Sequence, residues 1–352
     1  GVISKILIAN RGEIAIRVMR TAREMGIRTV AVFSDADKDA LFVKKADEAI
    51  CLGGTHAAEN YLDQNKIIAA AKQSGADAIH PGYGFLSENA SFSKRCKDEG
   101  IIFIGPSAEA ITALGSKIGA KELMNTTGVP VVPGYNGADK SFATLKKEAE
   151  KIGYPVIIKA ASGGGGRGMR IVRKSEEMAK MFVIASKEAE NAFNDPSVFV
   201  EKYIENPKHI EFQILGDTHG NVIHLGEREC SIQRKHQKLL EEAPSCALDA
   251  KLRKKMGAMA VQIAKAVNYH SAGTVEFLLD SEKKFYFMEM NTRIQVEHPV
   301  TEIITGLDLI EQQIRIANGE ELKFRQEDIK LKGWAIECRI NAEDVQAGFA
   351  PD

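Results

Sequence analysis

A chain of 352 residues, 44% hydrophobic and 27% charged, has ordinary globular composition and enough length for two or three cores. A formal net charge of −1 supplies no broad basic field, so neither nucleic acid nor an anionic membrane surface is an expected partner. No apolar run approaches the ~18 residues of a membrane span.

Residues 1–115 alternate strand and helix signals. Lys5 to Asn10 reads as strand, Gly12 to Met25 as helix and Arg28 to Ser34 as strand. Ala76 to His80, Asn89 to Glu99 and Ile101 to Ile104 repeat the pattern. That alternation predicts a parallel, doubly wound α/β unit. Its first strand ends in N-R-G-E, without the three glycines of a dinucleotide fingerprint. The unit is therefore expected to be Rossmann-like without binding a dinucleotide. Thr112 to Asn125 reads as one helix carrying Lys117, and Val129 to Tyr135 as a connector. A smaller α+β unit is expected over 131–203, ending in the strand Val198 to Lys202. Glu201 and Lys202 could form a strand-end ion pair. A third unit, 204–352, mixes strands (Ile210 to Leu215, Val222 to Glu227) with a helix over Lys251 to Val267. The charged stretch Arg228 to Glu242 could be a solvated loop, and the last domain looks cut short at Asp352. The chain opens directly on K-I-L-I-A-N with no visible signal peptide. Its five cysteines are widely spaced and lack a C-x-x-C pair, which fits a reducing, cytosol-like compartment and not a structural zinc site.

The second unit carries the run G-G-G-G-R-G at Gly163 to Gly168. Strand-like Y-P-V-I-I-K-A-A precedes it and M-R-I-V-R follows, so the run forms the tip of a β-hairpin. A tip without side chains exposes backbone N–H groups that can close over an anion, and Lys159 adds a positive charge. A strand follows the glycines, whereas dinucleotide and P-loop motifs both run into a helix. No H-R-D or D-F-G triplet accompanies them, which excludes a protein-kinase loop. A polyphosphate under a closing lid is the simplest ligand.

In the third unit, Gly273 to Leu279 and Phe285 to Met290 read as a hairpin that sets Glu276 against Glu289 between apolar neighbours. Facing carboxylates repel, and a shared proton or a cation must relieve them. Asn291 adds a neutral oxygen. Three oxygen ligands without His or Cys suit Mg²⁺ or Mn²⁺. Glu289, Asn291, Arg293, Gln295 and Glu297 then recur at period two along one expected strand face. Arg293 could hold an anion there and Glu297 could act on it as a base. His298 before Pro299 reads as structural. Arg339 lies mid-strand between apolar neighbours and calls for an anionic partner.

Ordered phrases then carry a resemblance over essentially the whole chain. They are I-A-N-R-G-E-I-A from Ile8, H-P-G-Y-G-F-L-S-E-N from His80, K-A-A-S-G-G-G-G-R-G-M from Lys159 and E-K-Y-I-E-N-P-K-H-I-E from Glu201. E-C-S-I-Q-R-K-H-Q-K from Glu229, E-M-N-T-R-I-Q-V-E-H-P-V-T-E from Glu289 and E-C-R-I-N-A-E-D from Glu337 complete them. The chain resembles the biotin carboxylase subunit or domain of biotin-dependent carboxylases, in the ATP-grasp superfamily, and more the acyl-CoA than the pyruvate type. The resemblance implies a Rossmann-like N-terminal domain followed by an ATP-grasp fold. It implies ATP binding by Lys117, Lys159, Gly164, Gly165, Gly166, Glu201, Lys202, Ile204, His209, Gln233 and His236. Glu276, Glu289 and Asn291 would hold two Mg²⁺ (or Mn²⁺) ions. Lys238, Arg293, Gln295 and Val296 would bind bicarbonate, Glu297 would be the general base, and Arg339 would stabilise the biotin enolate.

The implied activity is ATP- and bicarbonate-dependent carboxylation of carrier-attached biotin through carboxyphosphate. Implied partners are a biotin carboxyl carrier and a carboxyltransferase, with a homodimer in the full-length form. The implied place is the cytoplasm, or the mitochondrial matrix in a eukaryote. Members of the family run on past the position of Asp352, so the activity and dimerisation of this exact chain are open. Another ATP-grasp ligase and a non-catalytic nucleotide-binding domain are the alternatives. Intact Lys238, Arg293, Glu297 and Arg339 argue against the second.

Overall fold

Three of the first four strands are buried along nearly their whole length, which is what central strands of a covered parallel sheet require. A computed structural model of the chain describes residues 2–162, 167–233 and 238–340; within these, the side chains of 117–118, 231–233, 238–239 and 337–340 lie outside the description. The first sheet contains β1 (Lys5–Ile8), β2 (Arg28–Phe33), β3 (Glu48–Cys51), β4 (Ala78–His80) and β5 (Ile102–Phe103), in the order β3-β2-β1-β4-β5. Every pairing in it is parallel. Helices α1 (Gly12–Glu24), α2 (Leu41–Lys45), α3 (Gln64–Ser74) and α4 (Ala90–Asp98) lie between the strands in sequence. The doubly wound unit is as predicted, with β3, α2 and α3 added.

The helix expected over Thr112 to Asn125 is two helices, α5 (Ala108–Gly115) and α6 (Lys117–Thr127). Ser116 breaks it: its backbone is extended, and its side chain accepts a hydrogen bond from the Gly119 N–H. An N-cap serine satisfies an end donor that a continuous helix would not leave open.

Residues 130–207, with 278–287, form one compact unit, and 1–129, 208–277 and 288–352 form the other. The smaller unit contains β6 (Gly134–Tyr135), α7 (Phe142–Ile152), β7 (Val156–Ala160), β8 (Arg170–Val172), α8 (Met178–Phe193) and β9 (Val198–Lys202). Its sheet runs β6-β9-β7-β8, and all its pairs are antiparallel. β7 and β8 pair Val156 with Val172 and Ile158 with Arg170, so strands do flank the glycine run as expected. Ile158, Val172, Val198 and Val200 pack with Ala185 and Ala189 of α8 in the unit's own core.

The larger unit holds a second sheet of six strands, ordered β14-β13-β10-β11-β12-β15. These are β10 (Lys208–Gly216), β11 (Val222–Gln233), β12 (Lys238–Ala243), β13 (Ser271–Leu279), β14 (Phe285–Asn291) and β15 (Ala335–Ile340). Helix α9 (Ala250–Ala266) follows β12, and α10 (His298–Thr305) and α11 (Leu309–Ala317) follow β14. The stretch Arg228 to Glu242 is not a solvated loop. β11 runs through its start and β12 through its end, and Arg228 is fully buried. Among the described residues, no helix is long and apolar enough to cross a membrane.

Candidate active site

The carboxylate pair expected on β13 and β14 is present. Glu289 on β14 acts directly on Glu276 of β13, and the Glu276 carboxyl is pushed up to about 8. Burial is the largest cause, and repulsion from Glu289 comes next. Two carboxylates this close need a proton or a cation between them. Asn291 donates from Nδ2 to Glu276 Oε1 at 2.6 Å, and Gln295 donates from Nε2 to the same oxygen at 3.4 Å. Each amide turns its nitrogen to Glu276, which leaves its oxygen for another partner. The hairpin is less enclosed than the sequence pattern suggested, because Met288 and Glu289 are exposed.

The period-two face does not continue as a strand. β14 ends at Asn291, and Glu297 is the N-cap residue of α10. The polar residues from Arg293 to Glu297 therefore come from a turn into a helix. His298 sits at the start of that helix, buried, with Nδ1 donating to the Gln295 carbonyl at 2.6 Å. That bond ties His298 to the turn.

The Gln295 amide is oriented from behind by a fully buried arginine. Arg228 Nη2 donates to Gln295 Oε1 at 2.6 Å and to Thr274 at 3.2 Å. Its Nη1 donates to Gln213 and Thr301, both at 2.8 Å, and its Nε to Glu211 at 3.3 Å. A guanidinium can only donate, so Gln295 must present its oxygen to Arg228 and its N–H₂ to the far side. A charge with no solvent access is tolerable only when bonded this completely.

Sequence reasoning missed this layer. Glu211 on β10 stands directly opposite Arg228 on β11. Glu211, Cys230 and Glu241 bring a sulfur and two carboxylates within 4.8 Å of one another. Burial pushes the Glu211 carboxyl well up, and the nearby Glu297 pushes it further, against the pull of Arg228. Burial and the same acids also raise the Cys230 thiol. The available signal was the E-x-Q run of β10 facing the R of β11, but only the register reveals that pairing.

Arg293 is held by the doubly wound part of its own unit. Its Nε donates to Glu88 Oε1 at 2.7 Å, and its Nη1 donates to the Ile294 carbonyl at 3.2 Å. His209 lies on β10 opposite Cys230, and burial lowers its pKa. Val296 is partly buried in the turn before Glu297. Lys238 opens β12, with its backbone paired to Gln233 and Ile340, and Arg339 on β15 pairs with Leu239 of β12. The side chains of Gln233, Lys238, Arg339 and Lys117 lie outside the described residues, as do Gly164, Gly165, Gly166 and His236 altogether.

In the smaller unit, Lys159 on β7 forms an ion pair with Glu201 on β9. Glu201 and Lys202 do not pair with each other, because neighbouring strand residues point to opposite faces. Lys202 instead donates to the Gly153 carbonyl at 2.8 Å and the Tyr154 carbonyl at 3.1 Å. Ile204 is partly buried just beyond β9.

A parallel Rossmann-like unit, a small antiparallel sheet and a larger antiparallel sheet carrying facing carboxylates define an ATP-grasp ligase. Residues 2–111 match the family described as "Biotin carboxylase, N-terminal domain", and residues 116–325 match "Carbamoyl-phosphate synthase L chain, ATP binding domain". Biotin carboxylase 1 of Bacillus subtilis (strain 168) is 56% identical over 350 residues, 99% of this chain and 78% of that protein. Biotin carboxylase of Nostoc sp. is 60% identical over 347 residues, with the same two shares, 99% and 78%. A crystal structure of the biotin carboxylase domain dimer of Hydrogenobacter thermophilus 2-oxoglutarate carboxylase, with MgADP, ADP and bicarbonate, is 53% identical. It superposes with a TM-score of 0.86 over 100% of this chain and 77% of that one. This chain belongs to the biotin carboxylase family.

Proposed function

We propose that the chain uses ATP and bicarbonate to carboxylate biotin attached to a carrier protein. The observation that carries this reading is the Glu276–Glu289 pair set beside the Arg293–Glu297 turn, in a chain matched end to end by biotin carboxylases. The donor set fits the implied metal. Burial and Glu289 raise the Glu276 carboxyl, which a cation would offset, and Asn291, whose Nδ2 now donates to Glu276, would turn its oxygen to the metal. Glu276, Glu289 and Asn291 would hold Mg²⁺ or Mn²⁺, which when bound offsets the charge of the nucleotide phosphates.

Arg293, Lys238 and the Gln295–Val296 backbone bind bicarbonate. Glu297 takes the bicarbonate proton, and the freed oxygen attacks the γ-phosphorus as ADP leaves. The resulting carboxyphosphate separates into CO₂ and phosphate. The phosphate takes the N1′ proton of biotin, N1′ bonds to CO₂, and Arg339 stabilises the ureido anion. Lys117, Lys159, His209, Gln233, His236 and Gly164 to Gly166 serve the nucleotide phosphates and ribose, and Glu201 to Ile204 the adenine. We read 131–203 as the lid, 1–115 as the N-terminal domain and 204–352 as the catalytic domain. The partners on this reading are a carrier, a carboxyltransferase and a second copy of the full-length protein, in the cytoplasm or mitochondrial matrix.

The test is bicarbonate-dependent ATP cleavage in the presence and absence of free biotin. Stimulation by biotin is the expected result. An ATPase indifferent to biotin would move the chain to another ATP-grasp ligase, and nucleotide binding without turnover to a regulatory domain.

A further inference from the structure

The phrase H-P-G-Y-G-F-L-S-E-N between β4 and α4 has no role in the reading above, yet it ends in the one carboxylate that touches Arg293 among the described ion pairs. We propose that Glu88 is a positioning residue that fixes the Arg293 guanidinium for bicarbonate. This rests on the reading of Arg293 as a bicarbonate ligand.

The parallel sheet runs outward from β1 in both directions, so its crevice lies at the carboxyl ends of β1 and β4. Here that crevice is filled from within. Asn10, just after β1, donates from Nδ2 to the Pro81 carbonyl at 2.8 Å and the Tyr83 carbonyl at 2.6 Å. His80 accepts at Nδ1 from the Gly82 N–H at 3.0 Å. A Cβ on Gly82, whose φ is +64°, would come within 2.7 Å of Asn10 Nδ2. The loop is thus bonded down at its base instead of forming an open ligand crevice. It delivers Glu88, immediately ahead of the α4 cap Asn89, from a fixed platform.

Glu88 uses both oxygens on the segment after β14. Oε2 accepts from the Thr292 N–H and from Thr292 Oγ1, each at 3.1 Å, and Oε1 accepts from Arg293 Nε at 2.7 Å. A salt bridge of the strongest kind is bidentate, with two parallel N–H···O bonds. Glu88 instead takes only Nε on Oε1 and gives Oε2 to Thr292. With Nη1 also donating to the Ile294 carbonyl, the plane of the group is set while the Nη2 hydrogens and one Nη1 hydrogen remain for an anion. A negative charge beside an anion site is counterproductive on electrostatic grounds alone, so its value is geometric. The pair is also partly exposed, at 24% for Arg293 and 39% for Glu88, where a salt bridge as such contributes little stability.

The experiment is steady-state kinetics of the full chain with Glu88→Ala, Glu88→Gln, Arg293→Ala and the Glu88→Ala/Arg293→Ala double variant. Melting temperatures accompany each. A misplaced ligand group costs on the order of tenfold or more, so Glu88→Ala should raise KM for bicarbonate by at least about that factor and KM for ATP by less than about twofold. Glu88→Gln keeps one acceptor oxygen and should fall between, which preserves the test if the alanine variant folds poorly. In the Arg293→Ala background, Glu88→Ala should add nothing. An unchanged bicarbonate KM in both Glu88 variants, equal rises for both substrates, or a full additive effect in the double variant would each overturn the role of Glu88 while leaving Arg293 in place. An Arg293→Ala variant with normal bicarbonate KM would remove the reading of Arg293, and this inference with it.

Discussion

Glu297 stands where electrostatics and geometry meet. It is 7% exposed, occupies the N-cap position of α10 without a side-chain cap bond and adds its charge to the burial that already raises Glu211 and Glu276. A buried carboxylate within reach of the reacting proton is the group a general base requires, and that is the role proposed for Glu297. On the proposed reading, Glu297→Gln removes the base while keeping volume and one acceptor oxygen. Bicarbonate-dependent turnover should fall by ~100-fold or more, with nucleotide affinity nearly intact. The pair of measurements is single-turnover ATP cleavage and equilibrium binding of a non-hydrolysed ATP analogue. Full turnover in the variant would take Glu297 out of that role, and a parallel loss of nucleotide affinity would make it structural.

At the scale of elements, β4 ends in a histidine whose proton is fixed by its neighbours. His80 Nδ1 accepts from the Gly82 N–H, so Nε2 must carry the hydrogen that goes to Gln313 Oε1 at 2.8 Å. Protonation would need Nδ1 and would break the turn. Burial is the main force that lowers the His80 pKa, to about 4, with repulsion from Arg17 in the same direction and the Gln313 bond opposing. The unfolded imidazole takes its proton near pH 6.5 and the folded one near 4. The folded state is therefore favoured above 6.5, and this contribution is lost as pH falls from 6.5 towards 4. His298 shifts in the same direction, to about 4. Replacing His80 by Asn, which keeps an acceptor for Gly82, should flatten the stability-pH slope in that window by up to ~1.4 kcal/mol per pH unit. Denaturant unfolding at several pH values measures it; an unchanged slope would mean His80 already titrates normally. The elements also mark how far the sequence could be read. β9 falls on the residues expected of it, and so do the strands around the glycine run, since β-branched runs and turn residues are local signals. The period-two line after β14 misled because a turn and a helix N-terminus can also present alternating polar residues. Arg228 was unreadable as a core residue because its partners Glu211, Gln213, Thr274, Gln295 and Thr301 come from four other places in the chain.

The largest scale concerns which parts of the chain can fold alone. The first 115 residues hold a five-stranded sheet with helices between its strands. Their apolar surface is not closed within the segment. Ile14, Val18 and Met19 of α1 belong to one core with Leu215, Leu225, Ile310 and Ile314, all from beyond residue 207. Polar groups are committed the same way. Arg17 donates to Glu302 and Asp308, each at 2.9 Å, and Thr21 Oγ1 donates to Asp308 at 2.7 Å. His80 spends its hydrogen on Gln313. Cut at 115, the segment would expose an apolar helix face and take Asp308 from the buried Thr21 and Gln313 from the buried His80, a cost that falls on a domain already small for its surface. Residues 1–115 expressed alone should therefore keep secondary structure yet lose fixed packing: normal far-ultraviolet circular dichroism, weak near-ultraviolet signal, binding of an apolar dye and a broad thermal transition. Adding back 208–340 in trans should restore a cooperative transition. A monomeric 1–115 fragment with a sharp transition and well-dispersed amide resonances would show instead that its own two-layer core suffices, and that the contacts of α1 with α11 only dock a finished domain.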